Sequence, residues 1–168
     1  VRRLLRALTA LVAAGLAVAA VWLLLDLRRL QATERASREA LSAARSYAPD
    51  MLSYDYRTID QDMLRAGAHA TGQLAEHYRT LVATLGPQAR ERRTVQHAVV
   101  AAAGVESATP EEVRVLLFVN MVTTRSGPGR EEPKQQVSQG RARLVMVTQG
   151  DGWRASRLST LLGDTPVP

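Results

Sequence analysis

A chain of 168 residues with 46% hydrophobic and 23% charged content has room for one domain with its own core plus a short extra element, and is too apolar to be a disordered tail. The absence of cysteine excludes a disulfide framework, a thiol nucleophile and a thiolate zinc site. The formal net charge of +6 would point to nucleic acid if it were spread over the domain, but residues 1–29 hold five arginines against Asp26 and carry four of the six excess charges, so no nucleic-acid partner is expected.

From Ala7 to Leu25, nineteen residues run without a charge. At ~1.5 Å per residue this is about 28 Å of helix, set against a hydrocarbon core of about 30 Å. The run predicts a single transmembrane helix, with the lipid bilayer as partner through residues 7–25. Trp22 sits near its far end, where an amphipathic ring prefers the interface. Arg2, Arg3 and Arg6 precede the run and Asp26, Arg28 and Arg29 follow it, which places the N-terminus in the cytoplasm and the rest of the chain outside the cell membrane. Ala17-Val18-Ala19 has the small-residue spacing of a cleavage site, yet apolar residues continue through Leu25, which favours an uncleaved anchor.

Residues 27–48 are rich in Ala, Arg and Glu without Gly or Pro and predict a juxtamembrane helix over 30–48. Its pattern continues through Leu41, Ala44, Ala48 and Leu52 into a domain assigned to 49–162, with a tail over 163–168. Pro49 predicts a kink or a break near Tyr47–Asp50, because proline removes a donor and crowds the preceding turn. Thr58 and Gln61 read as a capping box for a second helix with Ile59, Met63, Ala66 and Ala70 on one face. A third helix starts at Thr71, lines up Leu74, Tyr78, Leu81 and Leu85, and stops at Gly86-Pro87.

After Arg93 the period changes to two. Val95, His97, Val99 and Ala101 alternate with Thr94, Gln96 and Ala98. Val113, Val115, Leu117, Val119 and Met121 alternate with Arg114 and Asn120. Leu144 and Met146 alternate with Arg143, Val145 and Val147. Thr109-Pro110-Glu111-Glu112 and Gly150-Asp151-Gly152 predict hairpin turns, Ser126–Gln139 a polar loop, and Trp153–Leu158 a last short strand. Helices first and strands second give an α+β class in which an antiparallel sheet wraps a helical layer.

The stretch MLSYDYRTIDQDMLRAGAHATGQLAEHY (51–78) resembles the signature region of the Mce (mammalian-cell-entry) associated membrane proteins of actinobacteria. AAAGVES (101–107), VRVLLFVNMVTT (113–124) and RARLVMVTQGDGWRASRLSTL (141–161) are similar to that family's strands in the same order. The resemblance covers about residues 40–162. It implies a single-pass protein whose outer domain is a nuclear transport factor 2-like cone, three helices on a curved antiparallel sheet of about four strands. That fold is also found in an inner-membrane assembly factor of type IV secretion. The implied role is a non-enzymatic accessory one, stabilising or assembling an Mce-type lipid-import complex at the cell envelope. The implied partners are Mce transporter subunits or other envelope proteins, with self-association left open.

The densest polar cluster is Tyr54, Asp55, Tyr56, Arg57 and Asp60. A Tyr and an Asp in an apolar pocket can shift protons, but at helical spacing Tyr56 stacks over Leu52 and Asp60 while Asp55 points elsewhere. The cluster therefore reads as structural, with the tyrosines filling a seam and the charged residues making local pairs; a partner-binding surface is its second reading. His69, His77 and His97 lack metal-ligand spacing, and no Gly-x-Ser-x-Gly elbow or phosphate loop is present, so catalytic, cofactor and metal residues are all expected to be none. Asn120 reads as a buried amide and Trp153 as a core plug. The alternative function is a lipid- or sterol-binding module using a concave sheet face lined by Val115, Leu117 and Val119, packed shut if Trp153 and Phe118 fill it. A pocket enzyme is the third.

Overall fold

The structure, a computed structural model, describes residues 2–127 and 133–161, with side chains over 15–127 and 133–160. Among the described residues the elements run α1 (Arg2–Leu52), β1 (Tyr54–Asp55), α2 (Ile59–Ala68), α3 (Gly72–Glu91), β2 (Val95–Ala108), β3 (Glu112–Arg125), β4 (Lys134–Gln149) and β5 (Gly152–Leu161). The five strands form one antiparallel sheet in the order β1-β2-β3-β4-β5, and the helices lie against one face of it. The expected α+β class holds, with the two-residue β1 added to the four predicted strands.

The core forms where two periodicities meet. On the helices, Ala36, Ala40, Ala44 and Ala48 recur every fourth residue of α1 and are all buried, as are Ile59, Met63 and Ala66 of α2 and Leu74 and Tyr78 of α3. On the sheet, Val113, Val115, Leu117, Val119 and Met121 of β3 alternate inward, joined by Ala142, Leu144 and Met146 of β4. The alanine stripe lets α1 lie close along β2. The Arg45 guanidinium donates to the Ala103 carbonyl at 3.1 Å, and Ser53 Oγ accepts from the Ala98 amide at 2.9 Å. The stretch expected as a separate juxtamembrane helix, 30–48, thus contributes its alanines from Ala36 onward to the core.

α1 runs through Pro49 without a break and ends three residues later. The expected break and restart does not occur, because so near the end of a helix the missing proline donor costs one bond and the turn closes through the Ser53 amide on the Pro49 carbonyl at 3.0 Å. α3 likewise passes through Gly86-Pro87 to Glu91, correcting the predicted stop: the continued turns bury Gly86 and Ala89 and bring Arg90 within 2.6 Å of Asp60. The Thr58–Gln61 capping box does not form. The Thr58 hydroxyl makes no cap bond and donates instead to Asp62 Oδ2 at 2.9 Å.

The structure decides which face of β2 is inside. Ala98 is buried and Val99 is 51% exposed, since only small side chains fit under the α1 stripe and Gln96 is tied inward by its amide on the Leu52 carbonyl at 2.7 Å. β4 begins at Lys134, inside the predicted loop, and its polar first half pairs with β3 as far as Arg125↔Lys134. Asn120 is exposed rather than buried, and Phe118, 46% exposed, lies on the outer face and closes nothing. Trp153 is buried, with its indole N–H 3.4 Å from Glu39 Oε2. The turns at 109–112 and 150–152 form as expected, the first closed by the Thr109 amide on the Glu112 carbonyl at 2.8 Å, the second turning on Gly150, whose φ of +59° suits glycine.

The predicted span over 7–25 lies partly outside the residues whose side chains are described, and among the described ones no helix is long and apolar enough to cross a membrane.

Candidate functional site

Of the cluster Tyr54, Asp55, Tyr56, Arg57 and Asp60, the first four lie where α1 ends, in β1 and the turn into α2, and Asp60 in the first turn of α2, so the five do not share one helix as their spacing suggested. Asp62, buried on α2, organises it: its Oδ2 accepts from the Asp55 amide at 3.0 Å and the Thr58 hydroxyl at 2.9 Å, while Arg65 lies 3.4 Å from its Oδ1. A buried carboxylate satisfied in this way fixes a turn. The Asp55 carboxylate faces outward, accepting from the Arg57 amide at 2.9 Å and Nε at 3.0 Å. The guanidinium holds Asp55 below the usual carboxylate range, chiefly through that side-chain hydrogen bond, and packs 5.6 Å from the Tyr56 ring centroid. Tyr56 is tied to the sheet edge by its amide on the Thr94 carbonyl at 3.0 Å. Asp60 turns the other way to Arg90 of α3.

Asp55 and Tyr54 share a pocket of about 200 Å³ with Asp50, Thr58 and Asp62; of the five, Tyr54 also reaches a second, larger one. It lines a cleft of about 290 Å³ between α3 and the sheet, with Leu74, His77, Tyr78, Leu81, Gln96 and Leu158 among its walls. Burial pushes the Tyr54 phenol up, partly offset by the charge of Arg125. Burial pushes Tyr78 up further, and its hydroxyl donates to the Met51 carbonyl at 2.8 Å. No carboxylate lines this cleft. The Tyr78 phenol and the Gln96 amide are taken up by the Met51 and Leu52 carbonyls at the end of α1, and these two bonds tie helix to sheet. Val115, Leu117 and Val119, expected to line an open concave face, are buried beneath the helices.

The histidines behave differently from one another. His69 closes α2, stacks on Tyr47 at 4.2 Å between ring centroids and lies 3.0 Å from Asp50, a three-residue contact between α1 and the α2 end that sequence spacing did not reveal. His77 and His97 are exposed. Among the described residues no three His, Asp or Glu side chains gather as metal ligands.

The model of a family described as "Uncharacterized protein Rv1363c/MT1408-like" matches residues 3–159. Two relatives from Mycobacterium tuberculosis, "Uncharacterized protein Rv1362c" of strain H37Rv and "Uncharacterized protein MT1407" of strain CDC 1551, are each 31% identical over 130 residues, covering 76% of this chain. The chain spans 56% of their length. Among solved structures, an IcmL-like type IV secretion system protein from Legionella pneumophila superposes with a TM-score of 0.56 at 12% identity, over 76% of this chain and 94% of that one. The periplasmic domain of DotI gives 0.56 at 12%, over 71% and 91%. VirB8 of Agrobacterium tumefaciens gives 0.51 at 12%, over 75% and 92%. At such identities these likenesses establish the fold, a nuclear transport factor 2-like α+β domain like the periplasmic domains of those proteins.

Proposed function

The chain belongs to the Rv1363c/MT1408-like family, and we propose that it is a membrane-anchored, non-enzymatic accessory protein of the cell envelope that assembles or stabilises a multi-subunit complex, specifically an Mce-type lipid importer. The observation that carries the reading is the continuity of α1. One helix leads from side chains exposed on every side, Leu16, Val18, Val21, Trp22, Leu23 and Leu24 among them, into the buried stripe Ala36–Ala48 with no linker between. An apolar surface all round a helix needs a cover that the domain does not supply, and a bilayer supplies it. In this reading residues 7–25 span the membrane, the arginines before them stay in the cytoplasm, and the domain stands outside.

Two further observations support the accessory role. The candidate cluster makes turn and helix contacts, and the fold is shared with an IcmL-like type IV secretion system protein and with the periplasmic domain of DotI. Anchoring confines the domain to a thin layer and raises its effective concentration beside membrane-embedded partners, so modest affinities suffice. Mce subunits as the partners rest on the resemblance of residues 51–78 and of the strand segments. Deleting the gene is expected to lower the abundance of the transporter subunits with their transcripts unchanged. A variant carrying Tyr54→Phe, Asp55→Asn and Tyr56→Phe is expected to restore them. Normal subunit levels in the deletion strain, with only a lipid conversion lost, would replace this reading by the pocket enzyme.

A further inference from the structure

We propose that the outer face of the sheet is a homodimer surface on which a second copy of this chain docks side by side, with a two-fold axis running along β3. The face is laid out in registered rows. Val99–Asn120–Gln139, His97–Val122–Val137 and Ala102–Phe118–Arg141 follow one another across β2, β3 and β4. The helices cover the opposite face, so Val137, Val99 and Phe118 stand 68%, 51% and 46% exposed in neighbouring rows. Each of the three β-strands of this open face thus carries a large apolar side chain that nothing in the domain covers.

Charge identifies the occupant. Acid lies on the β2 side of the face, where a bulge between Val105 and Ser107 re-aims Glu106. Base lies on the β4 side, at Arg141 and Arg143. Glu106 and Arg143 already pair across the intervening strand, at 2.5 and 2.9 Å, arching over the row of Leu116. A two-fold axis along β3 lays β2 of one copy over β4 of the other, so that each Glu106 meets the basic side of its partner and Phe118 and Asn120 face their own counterparts. The Glu106–Arg143 pairs of the two copies thus complement each other across the axis, as an isologous contact requires, while Arg141 and, on β5, Arg157 lie farther from it. Arg114, close to the axis, would meet its own copy, and Glu112 at 3.3 Å tempers that charge.

The direction of the axis agrees with the anchor. From Glu39 beside Trp153, past Arg45 at Ala103, to Ser53 at Ala98, α1 runs antiparallel to β2, so an axis along the strands also runs along α1. Both apolar segments of such a dimer leave it toward the same side and enter one bilayer. This last step rests on the membrane-anchored reading; the surface itself does not.

The chain has no cysteine, so single cysteines report directly. Facing sheets stand ~10 Å apart, too far for a disulfide but within reach of a short bis-maleimide. In full-length protein purified in detergent, Asn120→Cys is expected to be converted to a species of doubled mass, while Thr84→Cys on exposed α3 stays at the monomer mass. Phe118→Glu in the otherwise unchanged chain is expected to halve the mass read by light scattering. A monomer before substitution, a dimer unaffected by Phe118→Glu, or equal crosslinking at both cysteines would each overturn the proposal. Because the readout is mass in detergent, it stands whether or not any transporter subunit depends on the protein.

Discussion

The two ends of α1 draw on the same small and aliphatic residues and do opposite things with them. Between Leu16 and Leu30 every large hydrophobic side chain is about half exposed or more, with no face favoured. From Ala36 to Leu52 the apolar positions recur every three or four residues and are buried, while Arg38 and Arg45 between them face solvent or the sheet edge. Apolar content alone does not make a core. Periodicity assigns the second segment to the domain; the first has no face that the domain covers.

The sharpest way to break that contrast is to place the same charge in each half. Ala44→Asp puts an unpaired carboxylate under the sheet and is expected to cost about 4 kcal/mol or more, enough to unfold the domain. Leu16→Asp, at the centre of the 7–25 run and exposed in the structure, is expected to leave thermal melting of the domain within ~0.5 kcal/mol of the parent while weakening insertion by about 3 kcal/mol. Equal losses of melting temperature would erase the distinction.

A smaller effect tests how the core end of α1 is held. Tyr78→Phe removes the donor to the Met51 carbonyl and is expected to cost ~1–2 kcal/mol. Burial raises the pKa of Tyr78 in the folded state, so its contribution is complete below the ordinary tyrosine value of about 10 and declines as pH rises from there toward the folded value. Denaturant titrations between neutral and strongly alkaline pH are therefore expected to show the parent losing stability on the alkaline side and the Phe variant losing less.

The smallest effects belong to exposed pairs. Arg79→Ala, which releases only Glu76 on the solvent face of α3, is expected to change stability by under ~0.5 kcal/mol, whereas Leu74→Ala on the buried face of the same helix is expected to cost ~2–4 kcal/mol. Similar values for the two would mean that α3 does not pack as described.

What the sequence disclosed depended on whether a segment meets one neighbour or two. β3, in mid-sheet with a helix layer on one side only, alternates cleanly, and its inward residues are legible from Val113 to Met121. β2 carries valine and alanine on both faces, so its alternation names no inside; the close approach of the α1 alanines selects Ala98 over Val99. Residues 134–139 form a strand with Val137 as their one apolar residue, exposed because the β3–β4 hairpin extends past the core, and a run so nearly polar reads as a loop. Pro49 and Pro87 are breakers by local rule, yet each lies within a few residues of a helix end, where tertiary burial outweighs one lost bond. The cluster at 54–60 was legible as the densest polar group of the chain. Asp62, its organiser, gave no signal, since nothing in the order of residues shows that α2 turns this carboxylate back onto the Asp55 amide.

The central claim is that one helix joins a bilayer segment to a domain standing outside the cell membrane. A single Thr84→Cys in this 168-residue chain, which has no cysteine of its own, treated with a membrane-impermeant maleimide on intact spheroplasts, tests it most directly. The account predicts full labelling before lysis and retention in the membrane pellet after alkaline carbonate. Labelling that appears only after lysis, or release of the protein by carbonate, would contradict it.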